Sequence, residues 1–341
     1  MAISIKTIAE RLQVNPSTVS RALSGMPGVS AETRRRVREV ADALGYVPDA
    51  HARDLRTQRR TSIAVICRAE PTAVTTARNY ELLELGRTAV GRAHLIVKNP
   101  TESLGSAVRR GLSEKHAALI LNRPGGELEV SLIERAAAEG VALVTIDQPI
   151  PGVDGIVIDR QVGTRQAARL LLSSGRRLIR IFTAAPLDAP DPRLLGFADG
   201  FRERRLRLDE SHLIQIADSS MRRGYELVKS LLAESRPDAL FCYSDQMAVG
   251  GVRAAVEAGV SVGGDLAIIG FDDLPFSRYM PVSLTTVRQP IGECAATAVE
   301  LATARIADPN RPVVTRRFPT ELVLRESAPK PPELPLEEIY L

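Results

Sequence analysis

From residue 62 onward the chain alternates short apolar runs with longer helical patterns, and no other feature restricts its possible folds as severely. Strand candidates fall at 63–67, 95–98, 117–121, 141–146, 156–158, 178–182, 239–243 and 266–270. Helical stretches such as 80–90, 162–172, 221–233 and 246–258 lie between them. This alternation predicts parallel sheets covered by helices on both faces, because a parallel connection needs a crossover and a helix supplies it. Ligands of such sheets bind beyond the carboxyl ends of the strands. At 341 residues the chain is too long for one ordinary core and predicts several domains.

The first sixty residues read differently. Ile5, Ile8, Ala9 and Leu12 form the apolar stripe of a short amphipathic helix. Asn15 is then a good N-cap and Pro16 suits the first helical position, where its missing N–H costs nothing. In the second helix Val19, Ala22 and Leu23 are expected inside, leaving Pro16, Ser17, Ser20 and Arg21 on the outer surface. Two short helices joined by a few residues, the second presenting small polar groups and an arginine, make a helix-turn-helix. A third helix is expected after Ser30, its N-cap, with Glu32 in its positive first turn and Gly45 just past its end. Val37, Val40, Ala41 and Leu44 would close a three-helix core, with Arg34, Arg35, Arg36 and Arg38 on the other faces.

Charge sharpens this division. Residues 1–60 hold 11 Lys+Arg against 6 Asp+Glu, whereas the remainder holds 34 against 35. A basic segment attracts a polyanion, and counterion release would weaken that binding as salt rises. Charge alone leaves DNA, RNA and a membrane surface as alternatives.

The residues Ile8-Ala9, Val14-Asn15-Pro16-Ser17-Thr18-Val19-Ser20-Arg21-Ala22-Leu23, Val29-Ser30-x-x-Thr33-Arg34-x-x-Val37 and Leu44-Gly45-Tyr46-Val47-Pro48 resemble the headpiece of the LacI/GalR repressors. The likeness continues through Ile146-Asp147-Gln148-Pro149, Arg193-Leu194-Leu195-Gly196-Phe197, Pro237-Asp238-Ala239, Ser244-Asp245-Gln246-Met247-Ala248-x-Gly250, Gly270-Phe271-Asp272-Asp273 and Leu284-Thr285-Thr286-Val287-x-Gln289-Pro290. It implies an all-α helix-turn-helix headpiece at 1–47 and a hinge helix and linker at 48–61. A periplasmic-binding-protein-like α/β domain of two Rossmann-like lobes would follow at 62–327. Its lobes would be roughly 62–158 with 290–307, and 159–289 with 311–326, crossed by three strands.

By the same resemblance the second helix enters the major groove of double-stranded DNA. Pro16, Ser17 and Arg21 become base-reading candidates, with Asn15, Thr18 and Ser20 nearer the backbone. A guanidinium can bond guanine O6 and N7 together, which makes Arg21 the leading reader, with a phosphate contact as its alternative. Gln13 departs from the family's usual glycine in this turn, where a positive φ is easy. In the hinge, Leu55 matches a leucine wedged into the minor groove, flanked by Ala52 and Arg53. The resemblance also implies a homodimer on a palindromic operator and a small-molecule effector between the lobes. Arg193, Ser244, Asp272 and Gln289 fall on effector-contacting positions. Arg193 and Asp272 could instead form a structural ion pair, and Asp272-Asp273 a helix-start cap. Aromatic residues are only 4% of the chain and tryptophan is absent, which argues poorly for stacking on a sugar ring.

Other classes find little support. Walker, G-x-G-x-x-G and G-x-S-x-G motifs are absent, and no acid–base carboxylate pair stands out, so an enzyme with an accessory DNA-binding domain is disfavoured. Cys67, Cys242 and Cys294 lack disulfide or zinc spacing and read as small buried hydrophobes, and the four histidines are scattered. Neither metal nor cofactor is expected. No apolar run would cross a bilayer, and Lys6, Glu10 and Arg11 interrupt any signal-peptide pattern. The missing signal-peptide pattern favours the cytoplasm, and together with the headpiece it disfavours a periplasmic-type binding protein without DNA function. The Pro-rich 328–341 is too interrupted for helix and is expected to be a mobile tail.

Overall fold

The computed structural model describes residues 4–23, 27–44, 46, 62–69, 72–186 and 191–341. The chain forms two compact units, Met1–Arg60 and Thr61–Leu341. Gly45 and the linker 48–61, with Ala52, Arg53 and Leu55, lie outside the described residues.

In the first unit the expected caps set three helices, α1 (Ile5–Leu12), α2 (Pro16–Leu23) and α3 (Ala31–Ala43). Ser4 and Thr7 form a capping box on α1, and the Ser30 hydroxyl accepts from the Thr33 N–H on α3. Gln13 closes α1 at φ 52°. The turn does demand a left-handed residue, and Gln13 adopts it at a steric cost that glycine would avoid. Ile8, Ala9, Val19, Ala22, Val37 and Ala41 make the core, which Val40, Leu44 and Tyr46 flank.

The second unit holds two six-stranded sheets. In chain order the first lobe contributes β1 (Ile63–Arg68), α4 (Ala73–Val90), β2 (Ala93–Lys98), α5 (Leu104–Ser113), β3 (Ala118–Asn122), α6 (Val130–Ala138), β4 (Ala142–Ile146) and β5 (Asp154–Asp159). The second lobe begins at α7 (Arg160–Ser173), followed by β6 (Ile179–Thr183), α8 (Pro192–Glu203), β7 (Leu213–Gln215), α9 (Met221–Glu234), β8 (Ala239–Phe241), α10 (Asp245–Glu257), β9 (Ala267–Asp272) and β10 (Thr285–Arg288). The chain returns through α11 (Ile291–Ala307) and β11 (Thr315–Pro319), then crosses again to β12 (Glu321–Val323) and α12 (Glu337–Tyr340).

The first sheet, ordered β11-β5-β4-β3-β1-β2, is parallel throughout. The second, β12-β10-β9-β8-β6-β7, is parallel except for β12. Each sheet is buried on both faces. In β1, Ile63 and Val65 pack against Leu82 of α4 and Ala298 of α11, whereas Ala64 and Ile66 pack against Val108 and Leu112 of α5. This two-sided burial is why the strands read as continuous apolar runs.

The lobe boundary needs one correction. Residues 311–319 belong with the first lobe, because β11 pairs parallel to β5 with Thr315 opposite Gly155. Asp154 fixes this edge by pairing with Arg305 and accepting from the Val314 N–H at 2.8 Å. The final crossing therefore falls at Thr320, whose N–H donates to the Asp159 carbonyl at 2.9 Å.

Two further features come from close packing. A Cβ on Gly250 would lie 1.8 Å from the Met221 carbonyl oxygen, so α9 and α10 approach as they do only with glycine there. The expected mobile tail is corrected as well. Leu334 and Ile339 are buried in the second lobe's core, the Tyr340 hydroxyl donates to the Leu322 carbonyl, and Glu338 pairs with Arg204. Prolines prevent a long helix in this stretch without preventing its apolar side chains from docking.

Cys67, Cys242 and Cys294 are buried and unpaired. Among the described residues no helix is long and apolar enough to cross a membrane.

Candidate functional site

Asn15 builds the start of α2. Its Oδ1 accepts from the Ser17 N–H at 2.9 Å and the Ser17 hydroxyl at 2.8 Å, and its carbonyl accepts from the Thr18 N–H. The helix then turns Val19 and Ala22 inward and leaves Asn15, Pro16, Ser17 and Arg21 exposed, with Thr18 half-buried. Ser20 is different. It is only 6% exposed, against the expectation of an outward hydroxyl. At about 100° per residue, Ser20 falls on the flank of the arc centred near Leu23, so it is enclosed with that stripe. The exposed face is thus Ser17 and Arg21, edged by Thr18, at the positive end of the helix. Such a face offers neutral donors, a guanidinium and a positive helix end, which suits phosphate and base edges alike.

A second constellation gathers where strand ends of the two lobes meet. In the first lobe, Arg123 follows β3, Asp147 follows β4, and Arg160 opens α7 just past β5. Arg123 and Asp147 both take positive φ, 47° and 73°, which bends each strand end sharply. The Arg160 Nη1 bonds Asp147 Oδ1 at 2.7 Å while its Nη2 bonds Oδ2, a bidentate pair. Arg123 Nε lies 3.3 Å from the same carboxylate and Arg78 of α4 lies 4.0 Å away. Burial works against the Asp147 charge, yet Arg160 above all, then Arg78 and Arg123, hold its carboxyl down at about 2.

The second lobe supplies Arg193, Tyr243, Ser244, Asp272 and Gln289. Gln289 joins the lobes: its Nε2 donates to Asp272 Oδ1 at 2.6 Å, and its Oε1 accepts from Arg160 Nη2 at 3.5 Å. Asp272, at φ 123°, is 5% exposed. Burial first and Asp245 second push its carboxyl up to about 7, against the pull of Arg193. Arg193 is not ion-paired to Asp272. Its guanidinium carbon sits 4.1 Å from the Tyr243 ring centre and 4.3 Å from that of Phe271. The few aromatic rings of this region therefore cover the arginine. Asp272-Asp273 does not cap a helix: Leu274 holds that position for the short turn Pro275–Arg278, and Asp273 pairs instead with Arg288 and Arg325. Ser244 caps α10, accepting from the Met247 N–H and donating to the Ser219 carbonyl.

Sequence reasoning had picked out Arg193, Ser244, Asp272 and Gln289 but not Arg78, Arg123, Asp147, Arg160, Tyr243 or Phe271. A signal existed for several of them. Arg123, Asp147 and Arg160 each stand one or two residues past an apolar run, at the carboxyl edge where ligands of parallel sheets bind. The concavity bounded by Ile133, Val141, Asp154, Arg305 and Pro309 lies at the amino ends of β4 and β5, away from this chemistry.

The chain matches known proteins along nearly its whole length. The family described as bacterial regulatory proteins, lacI family, matches residues 4–49, and the periplasmic binding protein-like domain matches residues 168–328. The ribose operon repressor of Haemophilus influenzae is 30% identical over 337 residues, covering 95% of this chain and 98% of that protein. The HTH-type transcriptional regulator GalS of Salmonella typhimurium is 29% identical, with 95% and 96% covered. The catabolite control protein A of Priestia megaterium is 28% identical, with 89% and 92% covered. Among solved structures, the lac repressor dimer bound to operator and an anti-inducer superposes with a TM-score of 0.74 at 24% identity, over 96% of this chain and all of that one. At that identity the likeness bears on the fold.

Proposed function

The chain belongs to the LacI family of bacterial regulatory proteins and is a DNA-binding transcriptional regulator, and on that premise we propose which residues read the DNA and which receive the signal. Arg21, Ser17 and Pro16 face the bases of one operator half-site, while Asn15 and Thr18 fix the helix on the backbone. A second copy places the same helix on the other half-site, so the operator is palindromic and the working unit is a homodimer. The hinge residues Ala52, Arg53 and Leu55 complete the contact by wedging the minor groove. The protein acts in the cytoplasm as a repressor, not as an enzyme. Its operator affinity changes when a small molecule binds between the lobes against Arg193, Asp272 and Gln289, with Ser244 shaping the site.

One observation carries this reading: α2 is capped at Asn15, packed by Val19 and Ala22, and left with Ser17 and Arg21 exposed side by side. Selection from a random duplex library by the purified full-length chain should enrich an inverted repeat, and Arg21→Ala should relax the preference at one position of each half-site. Enrichment of no sequence at moderate salt would reject the reading. Arg193→Ala should keep operator binding and lose the response to effector.

A further inference from the structure

Between the lobes, basic groups outnumber acidic ones where burial makes an uncompensated charge costly. The buried Arg78, Arg160 and Arg193, with the partly exposed Arg123, face Asp147 and Asp272. A third carboxylate, Asp245, stands behind Asp272 but is engaged by the Leu274 N–H, the Ser277 hydroxyl and the Thr286 hydroxyl. Asp147 alone serves three arginines, and Arg193 has no carboxylate at ion-pair distance among the described residues. Hydrogen bonding repeats the imbalance. Arg78 Nη1 and Nη2, Arg160 Nε and Arg193 Nε are buried without an acceptor. Buried donors and cations in this state are unfavourable, and a site that tolerates them is matched to something that supplies acceptors and negative charge.

The placement of the groups says where that charge goes. Arg160 is held by Asp147 with both terminal nitrogens, whereas Arg123 uses Nε on Asp147. Arg193 packs its guanidinium against the Tyr243 and Phe271 rings, and its buried Nε has no acceptor, so it still needs a partner. Arg123 belongs to the first lobe and Arg193 to the second; burial first, then Arg160 and Arg193, disfavour the charged form of Arg123 against the pull of Asp147.

Resting on the reading that the interlobe site holds the effector, we propose that this effector is anionic: a small polyol bearing a carboxylate or a phosphate, whose charged group bridges Arg123 and Arg193. Arg78 and Arg160 add positive field beneath it, and Gln289 and Asp272 accept and donate to its hydroxyls. An anion bonded to both lobes relieves the repulsion between them and favours one arrangement of the lobes, which is how binding would be transmitted.

The test is calorimetric titration of the full-length protein with matched pairs: D-galacturonate against D-galactose, and D-glucose 6-phosphate against D-glucose, with inorganic phosphate alone as a fifth probe. The charged member of one pair should bind about tenfold tighter or more, the scale of one charge-assisted bond, and should weaken with added salt. Which pair responds separates carboxylate from phosphate. Arg123→Gln should erase the preference for charge. A neutral sugar that binds as tightly as its charged partner, and is lost in Arg193→Ala, would overturn the anion while leaving the effector site in place. A charged sugar that binds equally to wild type, Arg123→Gln and Arg193→Ala would overturn both. Silence from every probe at millimolar concentration, with operator binding intact, would also overturn the anion.

Discussion

Arg160 grips Asp147 with both ends of its guanidinium fork at the joint where β5 of the first lobe becomes α7 of the second. The pair is buried, and Asp147 also answers Arg123 and Arg78. Asp147→Asn therefore leaves three guanidinium groups together without a countercharge. Removing one partner of a buried ion pair costs about 3–5 kcal/mol, and a fall of that order is expected in urea unfolding at neutral pH. The acid limb should change too. A carboxyl at about 2 in the fold and near 3.8 unfolded contributes fully above the higher value and nothing below the lower, about 2 kcal/mol in all. Wild type should thus lose that increment on acidification and the variant should not. A variant as stable as its parent would show that water, not Asp147, balances the arginines.

Asp272 predicts the opposite slope. Its carboxyl stands at about 7, above its ordinary value, so the native protein binds this proton more tightly than the unfolded chain does. The groups that face it are Asp245, which raises it, and Arg193, the Gln289 amide and Arg160, which lower it. Its contribution is then greatest below the ordinary carboxylate range and declines as pH rises through 7, by up to about 1.4 kcal/mol per pH unit in between. Urea unfolding from pH 5 to pH 7 should show this decline in wild type and a flatter profile in Asp272→Asn. Equal slopes would mean that Asp272 is ionised throughout.

Much of the architecture was legible because strands buried on both faces leave an unmistakable apolar run, as at Ile63 to Arg68 and Ala142 to Ile146. β11 was not, since Thr315–Pro319 is an edge strand whose arginines face solvent and whose identity lies in its pairing with β5. The interlobe cluster was half legible. Arg193, Asp272 and Gln289 came through family resemblance, whereas Arg123, Asp147 and Arg160 meet because neighbouring parallel strands end at one edge, where Arg78 of α4 joins them. That adjacency depends on sheet order, which periodicity does not encode. Ser20 was misplaced for a smaller reason: in an eight-residue helix packed by two neighbours the buried arc is wide, and a small polar residue on its flank is enclosed with it.

The segment after β12 offers a stability test. Ile339 is fully buried in the second lobe's core, beside Leu334 and the half-buried Tyr340. Replacing a buried isoleucine by alanine removes transfer energy and opens a cavity, about 2–5 kcal/mol in well-packed cores. Because α12 is a single short turn that can shift to fill the space, the lower end, about 2 kcal/mol, is expected for Ile339→Ala in urea unfolding. An unchanged midpoint would restore the mobile tail.

Arg21 and Ser20 are neighbours with opposite fates, and that contrast separates recognition from folding. Arg21 is exposed, so Arg21→Ala should leave the thermal midpoint unchanged and lower affinity for the selected duplex by about 1–3 kcal/mol at one base-pair position. Measured by anisotropy on duplexes varied one position at a time, the loss should vanish when that base pair is changed in both experiments. A loss equal on every duplex, with a shallower salt dependence, would make Arg21 a phosphate contact instead. Ser20 is buried, so Ser20→Leu should destabilise the first unit by overpacking, by about 1–3 kcal/mol, and impair binding to all duplexes alike. Should Ser20→Leu instead stay folded and alter base preference, α2 would be rotated about its axis from the orientation described.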